Sequence, residues 1–171
     1  MTIKSKIPNL FTMSNLGLGV LAIINMFHGE FYISALLILA AGLFDRFDGM
    51  LARRFNATSS IGKELDSLCD LISFGIAPAM LIWNIRLYDL GMIGTALTVV
   101  YAVSGAYRLA RYNVTSFEGV YVGIPITLAG GIVSIISLYL LKYEINSTVI
   151  IAMVLFLAYS MVSTKIRLKK R

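Results

Sequence analysis

The chain has 171 residues, of which 58% are hydrophobic and 14% charged, and its mean hydropathy is +0.81. Soluble globular proteins average about 45–50% apolar and about 25% charged residues, so this composition excludes a disordered chain, an ordinary nucleic-acid-binding domain and most cytosolic enzymes, and points to a protein embedded in a lipid bilayer. The net charge of +6 comes from 15 Lys and Arg against 9 Asp and Glu, and a single cysteine, Cys69, excludes an intrachain disulfide and a cysteine-based metal site.

Taken in chain order, the charge-free runs are Ile7–Phe27 (21 residues), Phe31–Phe44 (14), Leu71–Ile85 (15), Leu90–Tyr107 (18), Gly119–Leu141 (23) and Ile145–Thr164 (20). A helix needs roughly 20 residues, at about 1.5 Å each, to cross the hydrocarbon. The second and third runs are too short and must continue as helices into charged sequence. The first run lacks a small-residue cleavage motif and is expected to stay in the membrane. The prediction is an all-α integral membrane protein with six transmembrane helices in one domain over residues 1–171. Pro125 falls near the start of the fifth span, and Pro78 lies inside the third and is expected to kink it. With both termini cytoplasmic, 13 of the 15 basic residues lie inside, leaving only Arg86 and Lys142 outside; this asymmetry sets the orientation in the cell membrane.

In the first span Asn9, Thr12 and Asn15 form a polar stripe at i, i+3, i+6, which interhelical hydrogen bonding would explain. Between the second and third runs lie five of the nine acids: Asp45, Asp48, Glu64, Asp66 and Asp70. Asp45 and Asp48 are spaced i,i+3 and Asp66 and Asp70 i,i+4, so each pair shares a helix face. Two such faces opposed across a short cytoplasmic connection present four carboxylates to one point. Four uncompensated aspartates at membrane depth would cost on the order of 10 kcal/mol, comparable to the stability of a whole domain. Pairing with Arg46, Arg53, Arg54 and Lys63 in a solvated loop is the plain alternative. Two divalent cations would neutralise all four charges, and an oxygen-only ligand set suits Mg²⁺ or Mn²⁺. Gly49, Ala52 and Gly62 are small where a helix surface must admit a bulky ligand, and Arg53 can offer a bidentate fork to a phosphate.

After the fourth run comes Arg108-Leu109-Ala110-Arg111-Tyr112-Asn113, which positive-inside anchoring alone would explain. Gly17, Gly19, Gly130 and Gly131 suggest close helix contacts, including a homodimer face. Cys69 has no His or cationic partner placed to activate it and reads as a packing residue.

The string Asp45-x2-Asp48-Gly49-x2-Ala52-Arg53-x8-Gly62-x3-Asp66-x3-Asp70 resembles the complete signature of the CDP-alcohol phosphotransferases, and the six-helix layout agrees over nearly the whole chain. The resemblance implies transfer of a phosphatidyl-type group from a CDP-linked lipid to an alcohol, with release of CMP. It assigns metal binding to Asp45, Asp48, Asp66 and Asp70, the general base to Asp70, and the nucleotide site to Gly49, Ala52, Arg53 and Gly62. The Pro8-Asn9-x2-Thr12-x2-Asn15 pattern is similar to one that places Asn15 beside the cytidine, an alternative to the hydrogen-bonding reading. The string Arg108–Asn113 and Ser73-Phe74-Gly75-x2-Pro78 resemble one branch, the phosphatidylserine synthases, as do Phe117-x-Gly119 and Gly123-Ile124-Pro125. The chain departs from that branch at Thr127, where a second proline is commoner, and in the extra residues Val120–Val122. The branch implies L-serine as acceptor, with Ser73, Arg108, Arg111 and Asn113 as its candidate contacts.

In-line displacement at phosphorus needs neutralised oxygens, a stabilised leaving group and a positioned hydroxyl. A serine-type hydroxyl also needs a base, and Asp70, one turn beyond Asp66, can touch the metal site and still face an acceptor. A guanidinium is a planar bidentate partner for the serine carboxylate; Arg111 is the first candidate, with Asn113 orienting the amino acid. The rival readings keep the chemistry with glycerol 3-phosphate or inositol phosphate as acceptor, or make the chain a divalent-cation transporter. A transporter predicts acids spread through the bilayer depth, whereas all four aspartates sit at one interface. A prenyltransferase would not explain Gly49-x2-Ala52-Arg53 between the acidic pairs.

Overall fold

A computed structural model describes the backbone of residues 3–54, 60–115 and 120–169 and the side chains of 10–47, 49–50, 61–115 and 122–166. Helices α1 (Ile3–Phe27) and α2 (Phe31–Arg54) form a hairpin whose turn needs Gly29 at φ 78°, a left-handed conformation that glycine adopts without steric cost. Ser34 ties the pair by donating to the Ala22 carbonyl at 2.9 Å.

The next rod, Ser60–Leu90, changes helix type along its length. Helix α3 (Ser60–Asp70) runs into a π-helical turn (Leu71–Ile76), then α4 (Ala77–Ile82), a second π turn (Trp83–Leu87) and a 3₁₀ turn (Tyr88–Leu90). Pro78 sits in the first turn of α4, where a missing N–H is tolerated. The first π turn ends two residues before that proline. Helix α5 (Met92–Val114) follows, then α6 (Ile126–Leu140) and α7 (Ser147–Val162), whose N-terminus is capped by Asn146 accepting from the Thr148 amide at 2.9 Å.

Helices dominate, with one addition that the sequence did not reveal. Val120–Val122 (β1) and Arg167–Lys169 (β2) pair as a short antiparallel ribbon, with Val120 opposite Lys169 and Val122 opposite Arg167. The run Gly119–Leu141 is therefore not one continuous span. Gly123 takes φ 79°, the Ile124 amide donates to the Ser160 carbonyl, and α6 begins only after Pro125.

Among the described residues, three helical stretches are long and apolar enough to cross a membrane: Leu10–Phe27, Ile61–Leu90 and Met92–Val114; α6 and α7 are apolar but shorter. The C-terminal half of α2 holds Asp45, Arg46, Asp48, Arg53 and Arg54. Inside, Phe74, Leu81, Tyr101, Ile126, Val133 and Met161 form one core drawn from the central rod and α5, α6 and α7. Outside, Phe27, Leu43, Val103, Ile135 and Phe156 are exposed. Large side chains facing outward along the helices match a lipid-facing surface rather than a soluble one.

Candidate active site

Carboxylates of α2 and α3 meet at one point. Single oxygens of Asp45, Asp66 and Asp70 all lie within 4.8 Å of one another, with Asp70 buried and the other two half-buried. Asp45 reaches the group from α2, and α3 presents Asp66 and Asp70 one turn apart on its facing side. The backbone of α2 continues one turn to Asp48, whose side chain lies outside the described residues.

Neighbouring helices hold these carboxylates. Fully buried Asn15 on α1 donates from Nδ2 to Asp70 Oδ1 at 3.1 Å, while its own Oδ1 has no hydrogen-bond partner among the described residues. Thr127 Oγ1 on α6 donates to Asp45 Oδ2 at 3.3 Å. The Asp45 carboxylate also meets that of Asp70, and the Arg108 charge acts on it. Carboxylates this close cannot all ionise unless a cation or proton lies among them. Three hard oxygen donors converging from two helices fit a divalent metal ion of the Mg²⁺ or Mn²⁺ class. The group could therefore hold a metal.

The nucleotide candidates lie beside the group. Among the described residues, a Cβ added to Gly49 would meet nothing within 4 Å. Gly62 is half-buried near the start of α3. The side chains of Ala52 and Arg53 lie outside the described residues.

The acceptor candidates diverge. Arg108 is buried, with its guanidinium 5.5 Å from the centre of the Tyr112 ring and its charge toward Asp45. Arg111, one turn on, turns to the other side: Nη1 donates to the Val162 carbonyl at 2.6 Å, and Nη2 to those of Val122 and Met161 at 3.1 and 3.2 Å. It joins α5 to the end of α7 and to the ribbon. Asn113 donates from Nδ2 to Glu64 Oε2 at 3.1 Å and to Ser67 Oγ at 3.0 Å, and its carbonyl accepts from Lys63 Nζ at 3.0 Å. That bonding fastens α5 to α3. Ser73 is fully buried and donates to the Asn15 carbonyl at 3.0 Å. So the structure brings Asn15 to the aspartates, leaves Arg108 close enough for its charge to act on Asp45, and gives Arg111, Asn113 and Ser73 partners within the frame.

Sequence reasoning passed over Thr127 as a support for Asp45. Its signal was present only as a departure from a pattern.

The family model described as CDP-alcohol phosphatidyltransferase matches residues 5–163. A CDP-diacylglycerol--serine O-phosphatidyltransferase of Bacillus subtilis is 37% identical over 159 residues, covering 92% of this chain and 86% of that protein. A Helicobacter pylori protein of the same name is 39% identical over 140 residues, 80% of this chain and 59% of that protein. The archaetidylserine synthase of Methanothermobacter thermautotrophicus is 37% identical over 137 residues, 78% of this chain and 58% of that protein. The chain thus spans less than two thirds of the latter two relatives.

Proposed function

The chain belongs to the CDP-alcohol phosphatidyltransferase family, and from that premise we propose that it is a CDP-diacylglycerol–serine O-phosphatidyltransferase. It transfers a phosphatidyl group from a CDP-linked lipid to the hydroxyl of L-serine, releasing CMP and forming a serine phospholipid. The observation that carries this reading is the convergence of Asp45, Asp66 and Asp70 on one point at the end of an apolar helical bundle. Serine as acceptor rests on the names of the relatives and on the buried charge of Arg108, which acts on Asp45.

Two divalent cations held by Asp45, Asp48, Asp66 and Asp70 would neutralise the diphosphate and stabilise the departing CMP. The chain's own groups do the rest. Asp70, held by Asn15, takes the proton of the serine hydroxyl as that oxygen bonds to the lipid-bearing phosphorus; the bond from this phosphorus to the CMP oxygen breaks. Gly49, Ala52, Arg53 and Gly62 line the nucleotide site, and the unpartnered Oδ1 of Asn15 can accept from a cytidine amino group. Of the two arginines, Arg108 takes the serine carboxylate, which replaces the first expectation for Arg111. Arg111, Asn113 and Ser73 act through the frame that surrounds the acceptor.

The membrane arrangement belongs to the same proposal: one domain, six spans, both termini and the active site on the cytoplasmic side of the cell membrane. Its support is the basic-residue asymmetry together with six helical rods among the described residues. A homodimer is included. Cβ atoms at Gly17 and Gly131 would meet nothing within 4 Å, so those small positions stay open to a second copy, whereas Gly19 and Gly130 are filled by the chain itself.

The test is CMP release by the purified protein with CDP-diacylglycerol and, separately, L-serine, glycerol 3-phosphate or inositol phosphate. Release with L-serine is expected. Release with glycerol 3-phosphate alone would overturn the acceptor and leave the aspartate chemistry standing.

A further inference from the structure

The rod that carries Asp66 and Asp70 changes geometry immediately after Asp70. From Leu71 to Ile76 it is π-helical, and the Ala77 amide donates to the Ile72 carbonyl five residues back. Such turns are rare and occur mostly as single insertions within α-helices, often at functional sites. Here three helices hold the turn. Asn15 on α1 bonds to Asp70 immediately before it, from Nδ2 to Oδ1, and to Ser73 within it, accepting from Oγ at its carbonyl. Gly130 on α6 lies so near that a Cβ there would come within 2.8 Å of the Phe74 carbonyl oxygen. Tyr101 on α5, 1% exposed, donates from its hydroxyl to that same carbonyl at 3.3 Å.

The Phe74 carbonyl is the one that an α-helix would pair with the amide of residue 78, and residue 78 is proline. Tyr101 gives that carbonyl a donor from outside the rod, where Pro78 can offer none. A tyrosine buried this deeply needs a partner for its hydroxyl.

We propose that Tyr101 is a positioning residue: by satisfying the Phe74 carbonyl it fixes the register of the π turn, and through Ser73 and Asn15 that register sets the Asp70 carboxylate against those of Asp45 and Asp66. The inference rests on the reading of the aspartates as a divalent-cation site.

The test uses the full chain purified in detergent, as parent, Tyr101→Phe and Pro78→Ala. The first substitution removes only the hydroxyl. The second returns an N–H that competes for the same carbonyl and would narrow the turn. Mn²⁺ affinity is measured without substrates by electron paramagnetic resonance, and CMP release is measured with both substrates. Partners beyond the ligands themselves typically alter metal affinity or activity by about 10–100-fold, so the dissociation constant for Mn²⁺ is expected to rise about tenfold in both variants. The kcat should fall by a similar factor, while KM for the CDP-lipid changes by less than about twofold. A lowered melting temperature with parental Mn²⁺ affinity and parental kcat would overturn the proposal. Should Tyr101→Phe not fold, Pro78→Ala decides by the same readouts. If the parent itself binds no Mn²⁺, the cation reading fails, and the kcat–KM split still decides the role of Tyr101.

Discussion

The aspartate end of α2 and α3 and the arginine end of α5 begin alike and finish differently. Both are polar clusters on helices; the aspartates pair at i,i+3 and i,i+4 on shared faces, while Asn113 lies two residues beyond Arg111, on another face of α5. The aspartates converge: oxygens from two helices lie within 4.8 Å. The α5 residues disperse, Arg108 toward Asp45, Arg111 to three carbonyls of α7 and the ribbon, and Asn113 to Glu64 and Ser67 on α3. Spacing within a helix groups side chains on a face, but the packing decides what that face meets. Asp45, Asp66 and Asp70 together call for a common counter-charge; an arginine or asparagine can be satisfied by whichever acceptors its helix meets, backbone carbonyls for Arg111 and the Glu64 and Ser67 side chains for Asn113.

The sharpest way to break this comparison is to remove one converging charge. Asp66→Asn should lower CMP release by at least about 10³-fold, because the remaining carboxylates and the diphosphate lose a shared ligand. Asp70→Asn keeps the shape and loses the basic oxygen; binding of the CDP-lipid should persist while CMP release falls at least about 10²-fold. Turnover near the parental rate at neutral pH would move the base elsewhere.

The dispersed end should respond in kind. Arg108→Ala should raise KM for serine at least about tenfold, with a smaller effect on the CDP-lipid, because a carboxylate loses its charged partner. Arg111→Ala should instead lower the melting temperature by about 5 °C, since charge-assisted donations to carbonyls are lost, with KM for serine near that of the parent. The reverse pattern would restore Arg111 as the clamp. The smallest effect is expected at Thr127→Val, where loss of the hydroxyl that meets Asp45 should weaken Mn²⁺ binding by about threefold.

The same contrast explains what was legible in the sequence. Asp45, Asp66 and Asp70 could be grouped from two local spacings and one charge argument, and Asn15 from a polar stripe on an apolar helix. Arg111 could not be placed, because its partners Val122, Met161 and Val162 are 11 to 51 residues away and are backbone carbonyls, which carry no side-chain signature. The ribbon escaped notice for a similar reason. Three-residue strands show no readable period, and Val120–Val122 find their partner more than forty residues on, leaving Gly123 and Pro125 as the sole local hints that the helix starts late. Thr127 was visible merely as an unexpected residue type. Its bond to Asp45 depends on how α6 packs against α2.

The central claim, that the aspartates of α2 and α3 form a metal centre, is tested most directly by isothermal titration of Mn²⁺ into the purified chain and its Asp48→Asn and Asp66→Asn variants. The account predicts saturable binding in the parent and affinity lowered at least about tenfold in each variant, because every carboxylate contributes to one shared charge balance. Unchanged affinity in both variants would contradict it.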